Sequence, residues 1–459
     1  MFSHIEQLPP AHRLMLDLKS GTIELESYWR VKNLPEIQTA AVGDLCSRAR
    51  ELVTDSVRRQ LVSDVQLGVF LSGGIDSSIV AGLARKEDAS LQSYTVIFEE
   101  KAFAAYNERD TSRAASRHLD IGHHELRISD AAPEEILNLV GYFDQPFGNP
   151  TSYLMYLISK HAREHIKVAL CGAGGDELYA GYPRYRATEL ARHLRWIPRS
   201  LLRLSGHTLG VFRDSFHTMR LRRARKFLEG LSDDPVCQFV RWTYFLGKDE
   251  KSHLLHSPGS TVGRLESLAP SERVLSRAVE RSSLSDVRNR YLHADVQTFL
   301  VDNVLEYTDK MSMAVPLEVR VPLLDHRFVE FSLNVPFSRK LKNSQGKLLL
   351  RETFADLLAP EVLRAPKRGF NVPLALWMTQ TFDSYFDRTP QARERWGDEA
   401  GETWREGILD ADFIRQLREE HRRGRQDHSY PLFGVIMFDV WWRQYVKASA
   451  LGARIGAST

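Results

Sequence analysis

Between about residues 40 and 190 the chain alternates short apolar runs with segments of helical period, a pattern that few folds accommodate. The runs "VQLGVFLSG", "LQSYTVIFEE", "HHELRIS" and "KVALCG" are separated by "DSSIVAGLARK", "ERDTSRAASRHL", "PEEILNLVGYF" and "TSYLMYLISKHAREH", with "GDLCSRARELVTDSVRRQLV" in front. Such alternation predicts the α/β class, a parallel sheet with helices on both faces. Ligands of these sheets sit at the carboxyl ends of the strands. Beyond about residue 190 helical periodicity dominates and strand signals nearly vanish. The expected organisation is therefore an α/β core over residues 36–190 and a mainly helical part over 191–459. Residues 1–35 contain "RLMLDLKSGTIEL", two strand-like pieces about a Ser-Gly turn. They read as a hairpin and a linker, too little to fold alone.

At 459 residues and 43% hydrophobic content the chain can bury a large core. A formal charge of +3 gives no mandate for nucleic acid or an anionic membrane. The arginine-rich stretch from Arg184 to Lys226 carries Leu, Trp and Phe at helical spacing and reads as an amphipathic, solvated helix pair. Cys46, Cys171 and Cys237 form no CxxC pair, which points to a reducing compartment. The opening "MFSHIEQLPPAHRL" lacks the charged and apolar regions of a signal peptide, and no apolar run is long enough to span a bilayer. The expectation is a cytoplasmic protein with no membrane or nucleic-acid partner.

Two strand ends carry the chemistry. "FLSGGIDSS" (70–78) runs from a strand through two glycines into a helix, so free backbone N–H groups and a positive helix end meet at one point, which suits a phosphate. Gly73 and Gly74 let the main chain approach and turn, while Ser72, Ser77 and Ser78 add hydroxyls. An aspartate inside an anion cradle makes sense if Asp76 holds a magnesium ion that bridges it to phosphate oxygens. For any one of these residues an ordinary strand-to-helix turn is a competing reading. "VALCGAGGDELYAGYPRY" (168–185) repeats the device, with Asp176 and Glu177 just past the turn. By themselves those two carboxylates could serve only the helix dipole. Beside the first loop, Asp76 and Asp176 could converge on one magnesium pyrophosphate.

The first loop resembles the pyrophosphate loop, SGGxDS, of enzymes that split ATP between the α and β phosphates. With "LCGAGGDELYAGY", "YTDKMSMAVPLEVRVPLLDHRFVEFS" (307–332), "LRAPKRGFNVPLALW" (363–377) and "PLFGVIMFDVWW", the chain resembles the synthetase domain of glutamine-dependent asparagine synthetases, from about residue 40 to 445. The resemblance implies an adenine nucleotide α-hydrolase-like (PP-loop) fold and a ligase that uses ATP and Mg2+. In such a ligase a substrate carboxylate is adenylated and ammonia then forms the amide, releasing AMP; aspartate would give asparagine. It implies that Leu71, Val96, Cys171 and Gly172 meet the adenine and ribose, although strand packing is an alternative for each. It also implies that Lys367 meets charge developing on the phosphates, where a surface lysine would otherwise be the default. Glu318 and Arg320 match a charged pair of the family, and an ion pair fixing a turn, with Asp325 beside a helix start, is preferred over direct catalysis.

Two departures stand out. The likeness leads one to expect an amino-terminal glutaminase domain with a cysteine at position 2, where this chain has Phe2; residues 1–35 resemble only the closing strands of such a domain. Nitrogen is then expected as free ammonia or from a separate glutaminase subunit, unless the chain is a shortened relic or its reading frame begins elsewhere; self-association is left open. Asparagine-forming members also carry an acidic residue in the glycine block where this chain has Ala173. Its proton-handling task would pass to water or to another carboxylate such as Glu177 or Glu306. A ring-forming, natural-product, peptide or sugar-acid amide synthetase and a non-catalytic nucleotide-binding relic are the alternatives. A tRNA-modifying adenylating enzyme shares the first loop alone, and neither its cysteine pair nor a basic RNA module is evident.

Overall fold

The computed structural model describes residues 5–99, 103, 106–129, 131–194, 196–197, 219–255, 270–366 and 369–447. A hairpin comes first, β1 (His12–Leu16) paired antiparallel with β2 (Ile23–Ser27). A five-stranded parallel sheet follows, built from β3 (Leu67–Phe70), β4 (Gln92–Phe98), β5 (Gly122–Ile128), β6 (Val168–Leu170) and β7 (Glu318–Arg320). Its order is β5-β4-β3-β6-β7. The four strands expected before residue 190 are all present. The fifth, β7, comes from the stretch read as a turn, because three residues are too few to show a period of two and only pairing with β6 makes them a strand.

Helices cover both faces, as the alternation requires. Within the strands, Val69 and Leu170 turn to one hydrophobic cluster, and Phe70 and Ala169 to the other. The first cluster takes the helix Val42–Gln60, whose buried Leu45, Ala49, Leu52, Val53 and Val57 form one stripe. The helices Ile75–Glu87, Val287–Gln297 and His326–Asn334 contribute to the same side. The second cluster takes Thr151–Arg163 together with the late helices Leu374–Gln380 and Ser429–Trp441, so the mainly helical carboxyl-terminal part contributes to both faces of the sheet, its last helices to this one. That cover is pinned by Asp439, fully buried, which accepts hydrogen bonds from the backbone N–H groups of Gly401 and Thr403, the Thr403 hydroxyl and the Tyr385 hydroxyl at 2.8–2.9 Å.

From β3 the chain moves to β4 on one side of the sheet, whereas from β6, the other neighbour of β3, it moves on to β7 in the opposite direction. The carboxyl ends of β3 and β6 therefore flank a crevice, the place where open α/β sheets bind ligands. Among the described residues no helix is long and apolar enough to cross a membrane.

Candidate active site

The loop after β3 folds on itself. Ser72 Oγ lies 3.2 Å from Ser77 Oγ, the Gly74 N–H donates to Ser72 Oγ at 3.3 Å, and Ser77 Oγ donates to the Gly74 carbonyl at 3.2 Å. Gly74 caps the helix Ile75–Glu87 with no side-chain cap bond, leaving its first-turn N–H groups without intrahelical partners. Gly73 has φ +74 and packs against the backbone of Thr111 and Ser112. Ser78, in the first turn of the same helix, is fully buried.

The loop after β6 presses against the first. A Cβ on Gly172 would come within 2.6 Å of the Ser77 backbone nitrogen; one on Gly175 would collide with the Asp76 carboxylate, and one on Gly181 with that of Asp176. These positions need glycine because the two loops share one space. Asp76, in the first turn of its helix, and Asp176, in the short helix Gly175–Leu178, meet at a common point: Lys347 Nζ is 2.6 Å from Asp176 Oδ1 and is also ion-paired with Asp76 Oδ2. All three side chains are largely enclosed.

Lys347 was not found by sequence reasoning. It lies 271 residues from Asp76, and no motif spacing links them. The one local signal is its place at the amino end of the helix Leu348–Thr353, where a cation opposes the helix dipole. Its backbone adopts φ +62, held by its N–H donating to the Tyr179 carbonyl at 3.0 Å. A cleft of about 130 Å³ opens beside this point, lined by Gly73, Gly74, Thr111, Arg186, Lys347 and Arg351 among others. Arg351 donates to the Leu363 carbonyl at 2.8 Å, and burial together with Arg186 pulls its pKa below the usual arginine value.

Glu177 is fully buried beside Asp176, and burial together with that neighbouring charge pushes its carboxyl up to about 7. The Tyr182 hydroxyl donates to it at 2.7 Å. Behind Tyr182, the Arg184 guanidinium stacks on the rings of Tyr182 and Phe299, 4.4 and 4.5 Å from their centroids, and pairs with fully buried Asp295 at 2.9 Å. Arg184 corrects the reading of its stretch as solvated: its charge is satisfied by a buried partner that the local pattern cannot reveal. Residues 195 and 198–218 of that stretch lie outside the described residues.

The remaining expected residues are spread more widely. Leu71 is fully buried in the first cluster and donates its N–H to the Tyr94 carbonyl at 2.9 Å, whereas Val96 packs in the second, so their side chains do not share one pocket. Cys171 is half-buried, with burial raising its thiol to about 11, and its N–H donates to the Arg320 carbonyl at 2.8 Å. Glu306 is half-buried at the start of the helix Glu306–Met313, and burial raises its pKa. Glu318 and Arg320 form the anticipated ion pair at 2.6 Å, and Asp325 caps the next helix by accepting from the Arg327 N–H at 2.9 Å. Lys367 lies outside the described residues.

Known proteins share this arrangement of sequence. Residues 48–443 match the asparagine synthase family. The asparagine synthetase [glutamine-hydrolyzing] 1 of Bacillus subtilis is 28% identical over 96% of this chain and 65% of its own length. A putative asparagine synthetase [glutamine-hydrolyzing] of Mycobacterium bovis is 27% identical over 87% of this chain and 58% of its own. The chain thus spans less than two thirds of the length of these relatives. Amidase chry2 of Gibberella zeae is 25% identical over 82% of this chain and 60% of its own. Among solved structures, the NMN synthetase from Francisella tularensis covers 56% of this chain and 96% of its own, at 16% identity and a TM-score of 0.22, too loose a superposition to transfer anything. With the family pattern running through both glycine loops and most of the chain around them, this protein belongs to the asparagine synthase family.

Proposed function

We propose that the chain is an ATP-dependent amide-forming ligase that adenylates a carboxylate and passes the acyl group to ammonia, with aspartate, giving asparagine, the first substrate to test. The observation that carries this reading is the meeting of Asp76 and Asp176 at one point between two glycine-lined strand ends. The residues fit Mg2+: both are carboxylates, the hard oxygen donors this ion takes, packed so closely that a Cβ on the neighbouring glycines would displace them. When bound, the ion would neutralise charge on the pyrophosphate, with Asp76 and Asp176 as its protein ligands and phosphate oxygens completing the set.

The chain's own groups supply the rest. Backbone N–H groups of the Ser72–Ser78 loop and the helix end behind Gly74 hold phosphate oxygens. Lys347, Arg186 and Arg351 offer positive charge along the cleft, and Lys367 is assigned the same task. The bound carboxylate oxygen attacks the α-phosphorus, the α–β P–O bond breaks, and pyrophosphate leaves. The amine nitrogen then attacks the acyl carbon, AMP leaves, and the proton lost by nitrogen goes to Glu177, the buried carboxylate poised near neutrality. Leu71, Cys171 and Gly172, just past the ends of β3 and β6, and Val96 within β4 are assigned to the adenosine edge. The nitrogen enters this step as ammonia.

Ala173, in the glycine block, and the likeness to an amidase favour a second reading, an amide or ring-forming synthetase acting on another carboxylate. The test is pyrophosphate release with ATP, Mg2+, ammonium and a panel of acids. Release with aspartate supports the first reading; release only with a peptide or sugar acid supports the second. No AMP or pyrophosphate with any acceptor sinks both and leaves a nucleotide-binding relic.

A further inference from the structure

We propose that Lys347 is a built-in counter-ion that holds the site of the divalent cation closed until a metal nucleotide arrives, so that metal binding and release of the Lys347 ammonium from the two aspartates are one event. The inference rests on the ligase reading only in taking Asp76 and Asp176 as the metal's ligands.

The physical problem is two carboxylates facing each other in an enclosed niche. Their side chains are 11% and 14% exposed, so little water screens them, and both cannot stay ionised at short range without a cation between them. The fold supplies one from far along the chain. Lys347 Nζ pairs with an oxygen of each aspartate, and the lysine side chain is 5% exposed. The ammonium therefore takes the place in which a divalent ion would have to sit to reach both carboxylates, and the two cations exclude one another.

The lysine is also built to move without moving the chain. Its backbone is fixed by the bond from its N–H to the Tyr179 carbonyl and by the Arg351 N–H donating to its own carbonyl at 2.9 Å. Gly346 before it is packed so closely that a Cβ would lie 2.7 Å from the Ala180 carbonyl oxygen. From this fixed anchor the flexible four-carbon stem can swing the ammonium from the aspartates to the cleft that Lys347 already lines with Arg351 and Gly74. Phosphates entering that cleft offer the ammonium an equivalent partner at the moment the metal takes the carboxylates. A free metal ion brings no such partner and must expel the lysine into a space that holds other cations. The device thus selects metal and nucleotide together over metal alone.

The test uses the full chain without nucleotide and Mn2+ as the probe, read by the loss of the free-ion paramagnetic resonance signal. Lys347→Met, which keeps most of the stem and removes the charge, is expected to bind Mn2+ at least tenfold more tightly than wild type, and adding Asp176→Asn should abolish that gain. Equal Mn2+ affinity in wild type and Lys347→Met, or a gain that survives Asp176→Asn, overturns the proposal. A second measurement needs no variant: a crystal of the wild-type chain with Mn2+ and α,β-methylene-ATP should place the anomalous Mn peak against Asp76 and Asp176 with the Lys347 ammonium turned to phosphate. A peak elsewhere, or an ammonium still bridging the aspartates, overturns it as well. A chain that shows the displacement but never releases pyrophosphate would retain this inference and lose the ligase reading.

Discussion

Glu177→Gln offers the sharpest check on how burial sets chemistry in this protein. Glu177 is fully buried next to Asp176, and its carboxyl moves from an ordinary value of 4.5 to about 7. An acid whose pKa is raised in the folded state is protonated there while the unfolded chain has already lost its proton. Stability from this group is fully present below 4.5 and is lost as pH rises through about 7. At about 1.4 kcal/mol per unit, the loss has a ceiling of about 3 kcal/mol. Glutamine has nearly the same shape, does not titrate, and can still accept the Tyr182 hydroxyl. Urea unfolding of wild type and Glu177→Gln at pH 5 and pH 8 should therefore show the variant gaining on wild type by up to about 3 kcal/mol over that span; taking the difference cancels every other titrating group. Amide formation should move the opposite way, falling by about 10² to 10⁴, with the acid limb of the wild-type profile near pH 7 lost in the variant. A stability difference that stays flat from pH 5 to 8 would refute the claim that this carboxylate is desolvated and poised near neutrality.

Other perturbations separate the site from its supports. Gly181→Ala drives a methyl group into the Asp176 carboxylate and to 2.7 Å from the Lys347 stem; pyrophosphate release should fall by on the order of 10² while far-UV circular dichroism stays unchanged. Asp439→Ala strips a buried carboxylate from four donors and should cost about 3–5 kcal/mol in urea unfolding. Glu318→Gln, by contrast, breaks an ion pair whose acid is 56% exposed and should change stability by less than about 1 kcal/mol in the same assay. His124 and His161 crowd the buried Tyr94 ring, and burial, then neighbouring histidines, lowers the pKa of each. Their stabilising contribution is present above the ordinary value of 6.5 and is lost as pH falls below it, so replacing both with Gln should flatten the acid side of the stability profile.

What the sequence determined is what short-range pattern can encode. Alternating apolar and helical segments specify strands buried on both sides, which fixes the parallel sheet and its covering helices. Strands that run into "SGG" and "CGAGG" specify where main chain must come close to something small and charged, so both loops and both aspartates were legible as residues. Their convergence followed only if the two strands were neighbours, and no local pattern states strand order. The tertiary structure decided the rest. It put β3 beside β6, made a strand of Glu318–Arg320 by pairing it with β6, and carried Lys347 across 271 residues to lie between two carboxylates. It also turned Arg184 from a solvated charge into a buried, caged one and raised the Glu177 carboxyl by removing water around it. Desolvation and ion pairing depend on what surrounds a group in three dimensions, and the period of a sequence records only which face of its own element a residue occupies.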